Sequence, residues 1–341
     1  MLKNNMHTLS LHNSKIVVGE SIQHLAHYVP VDTQVVIVSS SNVLKHYAKL
    51  WHTFPVIEIT DDELHKTLAT VEKITEQLLS LNADRHTFLV GIGGGIVCDI
   101  TGFAASVFMR GIRFGFVPTT LLAQVDASVG GKNGVNFQRY KNLVGTFNQP
   151  QFVLCSSEVL ATLPPKDFVA GFAEIVKAAM ITDASLFEFL EDNAEKSLQQ
   201  QPESLQHLIF EAIKIKADIV SQDEREQGVR KKLNLGHTFA HAIEKNFALP
   251  HGEAVSVGLC IVSHIAEQLG LMQHDEVLRV EKLLQQLQLP TRIDATIETL
   301  LPALLHDKKK EGNDIHLVLP CGIGKCEVRK MSFDELTALC K

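Results

Sequence analysis

Short runs of β-branched and aromatic residues alternate with helical patterns over roughly the first 155 residues. KIVVG, QVVIVSSS, FPVIEIT, TFLVGIG, FGFVPTT and FVLCSS read as strands. Between the third and fourth runs, HKTLATVEKITEQLLSLN repeats Leu68, Val71, Ile74, Leu78 and Leu81 at helical spacing, which predicts a crossover helix. This alternation predicts a parallel or mixed sheet covered by helices. After about residue 157 the texture changes to long amphipathic segments, among them DFVAGFAEIVKAAMI, ESLQHLIFEAIKIKADIVSQ, HTFAHAIEKNF and EAVSVGLCIVSHIAEQLG. One late strand pair, IHLVLP and KCEVRK, flanks a turn at Gly322 to Gly324. The expected organisation is an α/β N-terminal domain over 1–157 and a mainly α-helical C-terminal domain over 158–341, with no fixed-period repeat.

The chain has 341 residues, which suits two domains, and its 45% apolar and 21% charged residues mark it as globular. A formal charge of −7 without a basic stripe argues against nucleic acid and anionic membranes as partners. Aromatic residues make up only 6%, so stacking platforms for bases or sugars are not expected. Cys98, Cys155, Cys260, Cys321, Cys326 and Cys340 lie outside CxxC spacing, and most sit in apolar runs, which fits reduced core residues. The polar start MLKNNMHTLSLHNSK lacks a signal-peptide core, and the longest apolar stretch, AVSVGLCIV, is too short to span a bilayer. A cytoplasmic protein is expected.

In TFLVGIGGGIVCDITGF a strand meets a triple glycine at 93–95 and then a helix. Glycines there let backbone N–H groups approach a phosphate at the positive end of the helix dipole. The usual third glycine of the dinucleotide fingerprint is replaced by Ile96, so a tight turn that binds nothing is the competing reading.

LNLGHTFAH puts His237 and His241 four apart on one helix face, a spacing that can bite a metal. With 16 histidines in the chain, chance alone supplies almost one such pair. The neighbours add weight: His251 opens the next helix, and Glu174 and Lys177 share a face of another. One carboxylate and two imidazoles would make a catalytic zinc set with an open position, whereas the plain alternative is a satisfied polar helix interface. QVDASVGGKNGVN, over 124–136, mixes Asp126 and Lys132 with three glycines. It reads either as a loop that closes on a ligand or as an exposed glycine turn. Arg110, Lys132, Lys141, Lys216, Arg230 and Lys308 could together neutralise an anionic small molecule.

In combination, GGGIVCDITGF, MRGI, PTTLLAQVDASVGGKNGVN, KNLVGTFNQP, LPPKDFVAGFAEIVK, LNLGHTFAHAIE, HGEAVSVG and DKKKEGNDIHLVLP resemble the 3-dehydroquinate synthase family, in order from about residue 60 to 320. The resemblance implies a dinucleotide-binding N-terminal domain, a helical metal-binding C-terminal domain, NAD, a zinc or cobalt ion, and a homodimer. It implies a lyase of the shikimate pathway, acting on 3-deoxy-D-arabino-heptulosonate 7-phosphate by transient oxidation, phosphate elimination, re-reduction and aldol closure. NAD contacts would fall on Glu63, Lys66, Gly94, Gly95, Asp99, Thr119, Thr120, Lys132, Lys141, Leu160 and Thr162. Metal ligands would be Glu174, His237 and His251, while His241 and Glu226 would move protons. Arg110, Asp126, Lys132, Asn142, Lys177, Lys216, Arg230, Asn234 and Lys308 would hold the substrate.

Three stretches depart from the family pattern. Asn133 stands where threonine is usual, TDDELHK where a sequence like PDGEQYK is usual, and VKAAMI where IKYGLI is more frequent. Two other enzyme classes compete: a metal-dependent polyol dehydrogenase of the glycerol type, and a related sugar phosphate cyclase of secondary metabolism. The first takes an aspartate into its ligand set, where this chain has Glu174. The second tends to change residues at the positions of Arg230, Asn234 or Lys308, all of which keep the dehydroquinate synthase pattern here.

Overall fold

The computed structural model describes residues 6–138, 140–247, 249–294, 297–300, 304, 310–311 and 314–339; the expected substrate residue Lys308 lies outside them. Two compact units form, Met1–Pro164 and Pro165–Lys341. The division falls after the 3-10 turn Ser157–Thr162 because that turn is tied to the first unit. Glu158 accepts a hydrogen bond from Ser21 Oγ at 3.1 Å, and Thr162 bonds Tyr47 at 3.0 Å.

The first unit holds a seven-stranded sheet in the order β1–β2–β9–β6–β5–β3–β4, with β1 (His7–Leu11), β2 (Ser14–Val18), β3 (Val35–Ser40), β4 (Val56–Ile59), β5 (Phe88–Gly93), β6 (Arg113–Pro118) and β9 (Phe152–Cys155). Every pairing is parallel except β1 with β2. In β3, β5 and β9 every residue is buried, which is why those segments read as continuous apolar runs. At the edge, β4 alternates exposed and buried positions. The edge strand β1, HTLSL, went unanticipated because its alternating polar residues mark no run. The predicted crossover helix is α2 (Leu68–Ser80), which follows α1 (Ser41–Tyr47) and β4; it buries Val71, Ile74 and Leu78 but leaves Leu68 exposed.

The chain turns one way from β3 to β4 and the other way to β5, so the carboxyl ends of β3 and β5 flank a topological switch point. The glycine run at 93–95 leaves β5 there and enters α3 (Gly95–Val107). The segment 124–136 is more ordered than a loop. It folds as a π-helical turn, Ala123–Ala127, followed by the hairpin strand β7 (Lys132–Phe137), which pairs with β8 (Tyr140–Phe147).

The second unit is built on α4 (Pro165–Thr182), α5 (Ala184–Leu198), α6 (Pro202–Gln222), α7 (His237–Phe247), α8 (His251–Gln268) and α9 (His274–Gln286). A small antiparallel sheet of β10 (Lys310–Glu311), β11 (Asp314–Pro320) and β12 (Cys326–Ser332) contains the predicted late strand pair. Helix α8 is buried almost throughout and packs on α4, α7 and α9. Two glycines set its approach. A Cβ on Gly252 would lie 2.0 Å from the Ala170 carbonyl oxygen of α4, and one on Gly258 would lie 2.3 Å from that of Gly236, just before α7. Among the described residues no helix is long and apolar enough to cross a membrane.

Candidate active site and metal centre

The Gly252 contact brings the start of α8 against α4 one helical turn before Glu174, and the Gly258 contact brings α8 against the start of α7. His251 and His237 are the first residues of those two helices. As a result Glu174, His237 and His251 each offer a ligand atom within 4.8 Å of the others. Glu174 Oε1 lies 3.4 Å from His237 Nε2 and 3.4 Å from His251 Nε2. Good N–H···O bonds are about 2.7–3.2 Å long, whereas two donors each about 2.0–2.1 Å from one tetrahedral ion stand about 3.4 Å apart. Glu174 is almost fully buried, its Oε2 held by the Lys177 ammonium, while its Oε1 has no well-formed hydrogen bond. These donors fit a divalent metal better than they fit one another.

The electrostatics point the same way. Burial opposes ionisation of Glu174, but the Lys177 ammonium, ion-paired one turn along α4, and then His237 outweigh it and hold the carboxyl well below its usual range. Burial, with Lys177 next, keeps the His237 imidazole neutral at pH 7. Its Nδ1 faces the Leu235 carbonyl at 3.2 Å, which places the proton there and leaves Nε2 free to ligate. Burial would also depress His251, but Glu174 and Glu244 prevail and push it up to about 10. His241, four residues after His237 on α7, stands edge-on to His237 at 5.7 Å between ring centroids.

The proton-transfer candidate Glu226 sits on the connection between α6 and α7. Asp223 folds that connection by accepting the backbone N–H groups of Gln227 (2.9 Å), Gly228 (2.6 Å) and Arg230 (3.1 Å). Glu226 consequently adopts φ +60, a left-handed conformation uncommon outside glycine. Asn234 donates its amide to the Glu226 carboxylate, and the fully buried Arg230 guanidinium donates to the Glu224 carbonyl. Lys216 is buried on α6, which packs against the turn Val229–Asn234.

In the first unit, Gly94 and Gly95 open α3 at the switch point. A Cβ on Gly94 would come 3.2 Å from Thr120, and one on Gly95 would come 3.0 Å from Ala127. Thr119 N–H donates to the Gly93 carbonyl at 2.9 Å. Lys66 is buried, paired with Asp99 and donating to Asn142 Oδ1 at 2.7 Å. Asn136 joins this group by donating to Glu63 Oε1 at 2.8 Å and accepting from the Asn142 N–H at 2.9 Å. Asp126 is half-buried in the π-helical turn, and Lys132 and Lys141 are exposed on the hairpin. Leu160 is completely buried, so its side chain belongs to the core, while Thr162 is tied to Tyr47. Met109, Arg110 and Gly111 have consecutive positive φ values, and Arg110 is exposed. Strain of this kind concentrates at functional sites.

Residues 56–170 match the N-terminal domain of 3-dehydroquinate synthase and residues 171–310 match its C-terminal domain. The chain is 45% identical to 3-dehydroquinate synthase of Campylobacter hominis over 80% of its own length and 79% of that protein. The chain belongs to the 3-dehydroquinate synthase family. Among solved structures, a 2-epi-5-epi-valiolone synthase from Streptomyces hygroscopicus subsp. jinggangensis 5008 with NAD+ and Zn2+ bound aligns with a TM-score of 0.87 and 27% identity, covering 98% of this chain and 97% of that one. A 2-deoxy-scyllo-inosose synthase complexed with carbaglucose-6-phosphate, NAD+ and Co2+ aligns equally well at 26% identity, over 98% and 99% of the two chains.

Within this 3-dehydroquinate synthase family framework, the unusual Asn133 has a structural explanation. Its amide donates to the Gly131 and Asn148 carbonyls at 3.0 and 2.8 Å, and its Oδ1 fills the space where a Cβ on Gly102 would sit. Three further residues support these groups without belonging to any recognisable motif: Asn136 in the first unit, and Asp223 and Glu244 in the second. Only Glu244 left a usable signal, seven residues after His237 and hence on the same face of α7.

Proposed function

We propose that the protein is a 3-dehydroquinate synthase, a lyase that converts 3-deoxy-D-arabino-heptulosonate 7-phosphate to 3-dehydroquinate and phosphate with NAD and a divalent metal, zinc or cobalt. The observation that carries the reading is the buried Glu174–His237–His251 set with Lys177 beside it, in a chain 45% identical to curated synthases. When bound, the metal supplies a Lewis acid for a substrate hydroxyl, and NAD supplies a hydride acceptor whose hydride later returns.

The chain's own residues supply positioning, charge and proton transfer. Glu226, with its carboxylate oriented by Asn234, and His241, four residues along the helix that His237 opens, take up and return protons. Arg110, Asp126, Lys132 and Asn142 in the first unit, and Lys177, Lys216, Arg230, Asn234 and Lys308 in the second, are the substrate-binding assignments. Burial of Lys177, Lys216 and Arg230 keeps their charges poorly screened, which strengthens their hold on phosphate and carboxylate oxygens. The cofactor assignments are Glu63, Lys66, Gly94, Gly95, Asp99, Thr119, Thr120, Lys132, Lys141, Leu160 and Thr162. They are supported by the glycine-opened α3 at the switch point and by the Lys66–Asp99 pair in its second turn.

The reading includes a cytoplasmic homodimer, on the strength of the family resemblance. A cyclase of secondary metabolism is disfavoured because the two solved cyclases described above are only 26–27% identical and because Arg230 and Asn234 keep the dehydroquinate synthase pattern, with Asn234 bonded to Glu226. A glycerol-type dehydrogenase is disfavoured by a glutamate at the ligand position and by the cations around it. The deciding assay supplies the heptulosonate phosphate, metal and substoichiometric NAD, and follows phosphate and NADH together. Phosphate release with no steady NADH build-up, abolished by a chelator, is expected; accumulating NADH or no phosphate would refute the reading.

A further inference from the structure

Each imidazole of the Glu174–His237–His251 set is gripped from behind at Nδ1, but by different partners. His237 Nδ1 faces a neutral carbonyl, that of Leu235, whereas His251 Nδ1 faces the Glu244 carboxylate at 3.2 Å. Glu244 lies on α7, two turns after His237, and its side chain is only 8% exposed. A carboxylate desolvated to that degree needs compensation, and His251 supplies it here.

The charges around the cluster make this placement more than a matter of geometry. Lys177 is ion-paired with Glu174 and cancels the charge of the only anionic donor in the set. With both imidazoles neutral, as they must be to ligate, Glu174, His237, His251 and Lys177 sum to zero charge. Glu244 restores one negative charge, delivered through the His251 ring. An imidazole whose Nδ1–H is donated to a carboxylate is also a stronger electron donor at Nε2 and is fixed in the ligating tautomer.

We propose that Glu244 is the positioning residue of the metal centre: it fixes the His251 ring with Nε2 toward Glu174 and offsets Lys177, so that the site binds a divalent cation tightly despite an adjacent ammonium. This inference rests on the metal-centre reading above and is tested without turnover. Apoprotein of the wild type, Glu244→Gln and Glu244→Ala is titrated with zinc against a chromophoric chelator, and the thermal midpoint of each metal-free form is recorded. Removing such a carboxylate elsewhere weakens metal binding by about 10- to 100-fold. Glu244→Ala is expected in that range. Glu244→Gln keeps an oxygen that can accept from Nδ1–H and should fall between Ala and wild type.

Graded loss of zinc affinity, least in the Gln variant and most in the Ala variant, supports the proposal even where loss of the His251 pair lowers the metal-free midpoint, because a merely structural residue would move the midpoint and leave affinity alone. Zinc affinity within twofold of wild type in both variants overturns it while leaving the metal centre intact. Failure of the wild type itself to bind zinc overturns the metal-centre reading, and with it this one. Should Glu244→Ala not fold, the Gln variant decides alone, since a twofold or smaller change there removes the charge argument.

Discussion

Replacing Lys177 by methionine should destabilise the metal-free protein and tighten its grip on metal. Lys177 and Glu174 form an ion pair with side chains 3% and 1% exposed. Removing one partner of so buried a pair costs about 3–5 kcal/mol, because the other charge is left without compensation. The lower end, about 3 kcal/mol, applies here because the His251 imidazolium also faces Glu174 in the metal-free state. Bound metal neutralises Glu174 in place of Lys177, so the loaded variant should lose only about 1 kcal/mol, of the order of a median surface pair. The thermodynamic cycle then assigns the remaining 2 kcal/mol, roughly, to metal affinity, an increase of about 30-fold. Urea unfolding with and without zinc measures the two stabilities, and chelator competition measures the affinity. A variant that loses the predicted metal-free stability yet binds zinc no more tightly than wild type would refute the reasoning. Turnover should fall in either case, since Lys177 is also a proposed substrate contact.

Metal loading should release close to one proton at pH 8. Glu174 is already ionised and His237 already neutral, so the proton comes from His251, which holds it up to about 10 in the metal-free protein. Zinc affinity should therefore rise about tenfold per pH unit from pH 7.5 to 8.5, and calorimetry in two buffers of different ionisation enthalpy counts the proton. Release of none, or of two, would contradict the assigned charge states. Gly102→Ala should lower stability by about 1–3 kcal/mol, because its Cβ would fall 2.0 Å from Asn133 Oδ1. Adding Asn133→Ala should recover part of that loss in thermal denaturation. Asp223→Ala releases the three N–H groups that shape the Glu226 connection. It should cut kcat by roughly 100-fold with zinc affinity unchanged.

Much of the fold was legible because hydrophobic burial dictates it. Buried parallel strands such as β3 and β5 have no solvent face and so read as unbroken apolar runs. Helix α2 shows its buried stripe directly. The hairpin β7–β8 was not legible as strands, since β8 is mostly exposed and leaves Tyr140, Leu143 and Phe147 to solvent. At the site, spacing along α7 singles out His237 with His241, but the carboxylate of α4 meets His237 and His251 instead. Linear spacing cannot report which ring turns toward a residue sixty positions away; family resemblance supplied that assignment. Gly236, Gly252 and Gly258 set the helix approaches through backbone contacts that no periodicity encodes. The same holds for Asp223 and Asn136, whose work is done by hydrogen bonds across irregular connections.

An internal redox cycle that ends in loss of phosphate is the defining feature of the proposed activity. A single reaction containing the zinc-loaded protein, 3-deoxy-D-arabino-heptulosonate 7-phosphate and NAD at a small fraction of the substrate concentration tests it. Many phosphates should be released per NAD, with 3-dehydroquinate as the product and absorbance at 340 nm that stays flat after the first turnover. Phosphate release limited to one per NAD, matched by stoichiometric NADH, would contradict it.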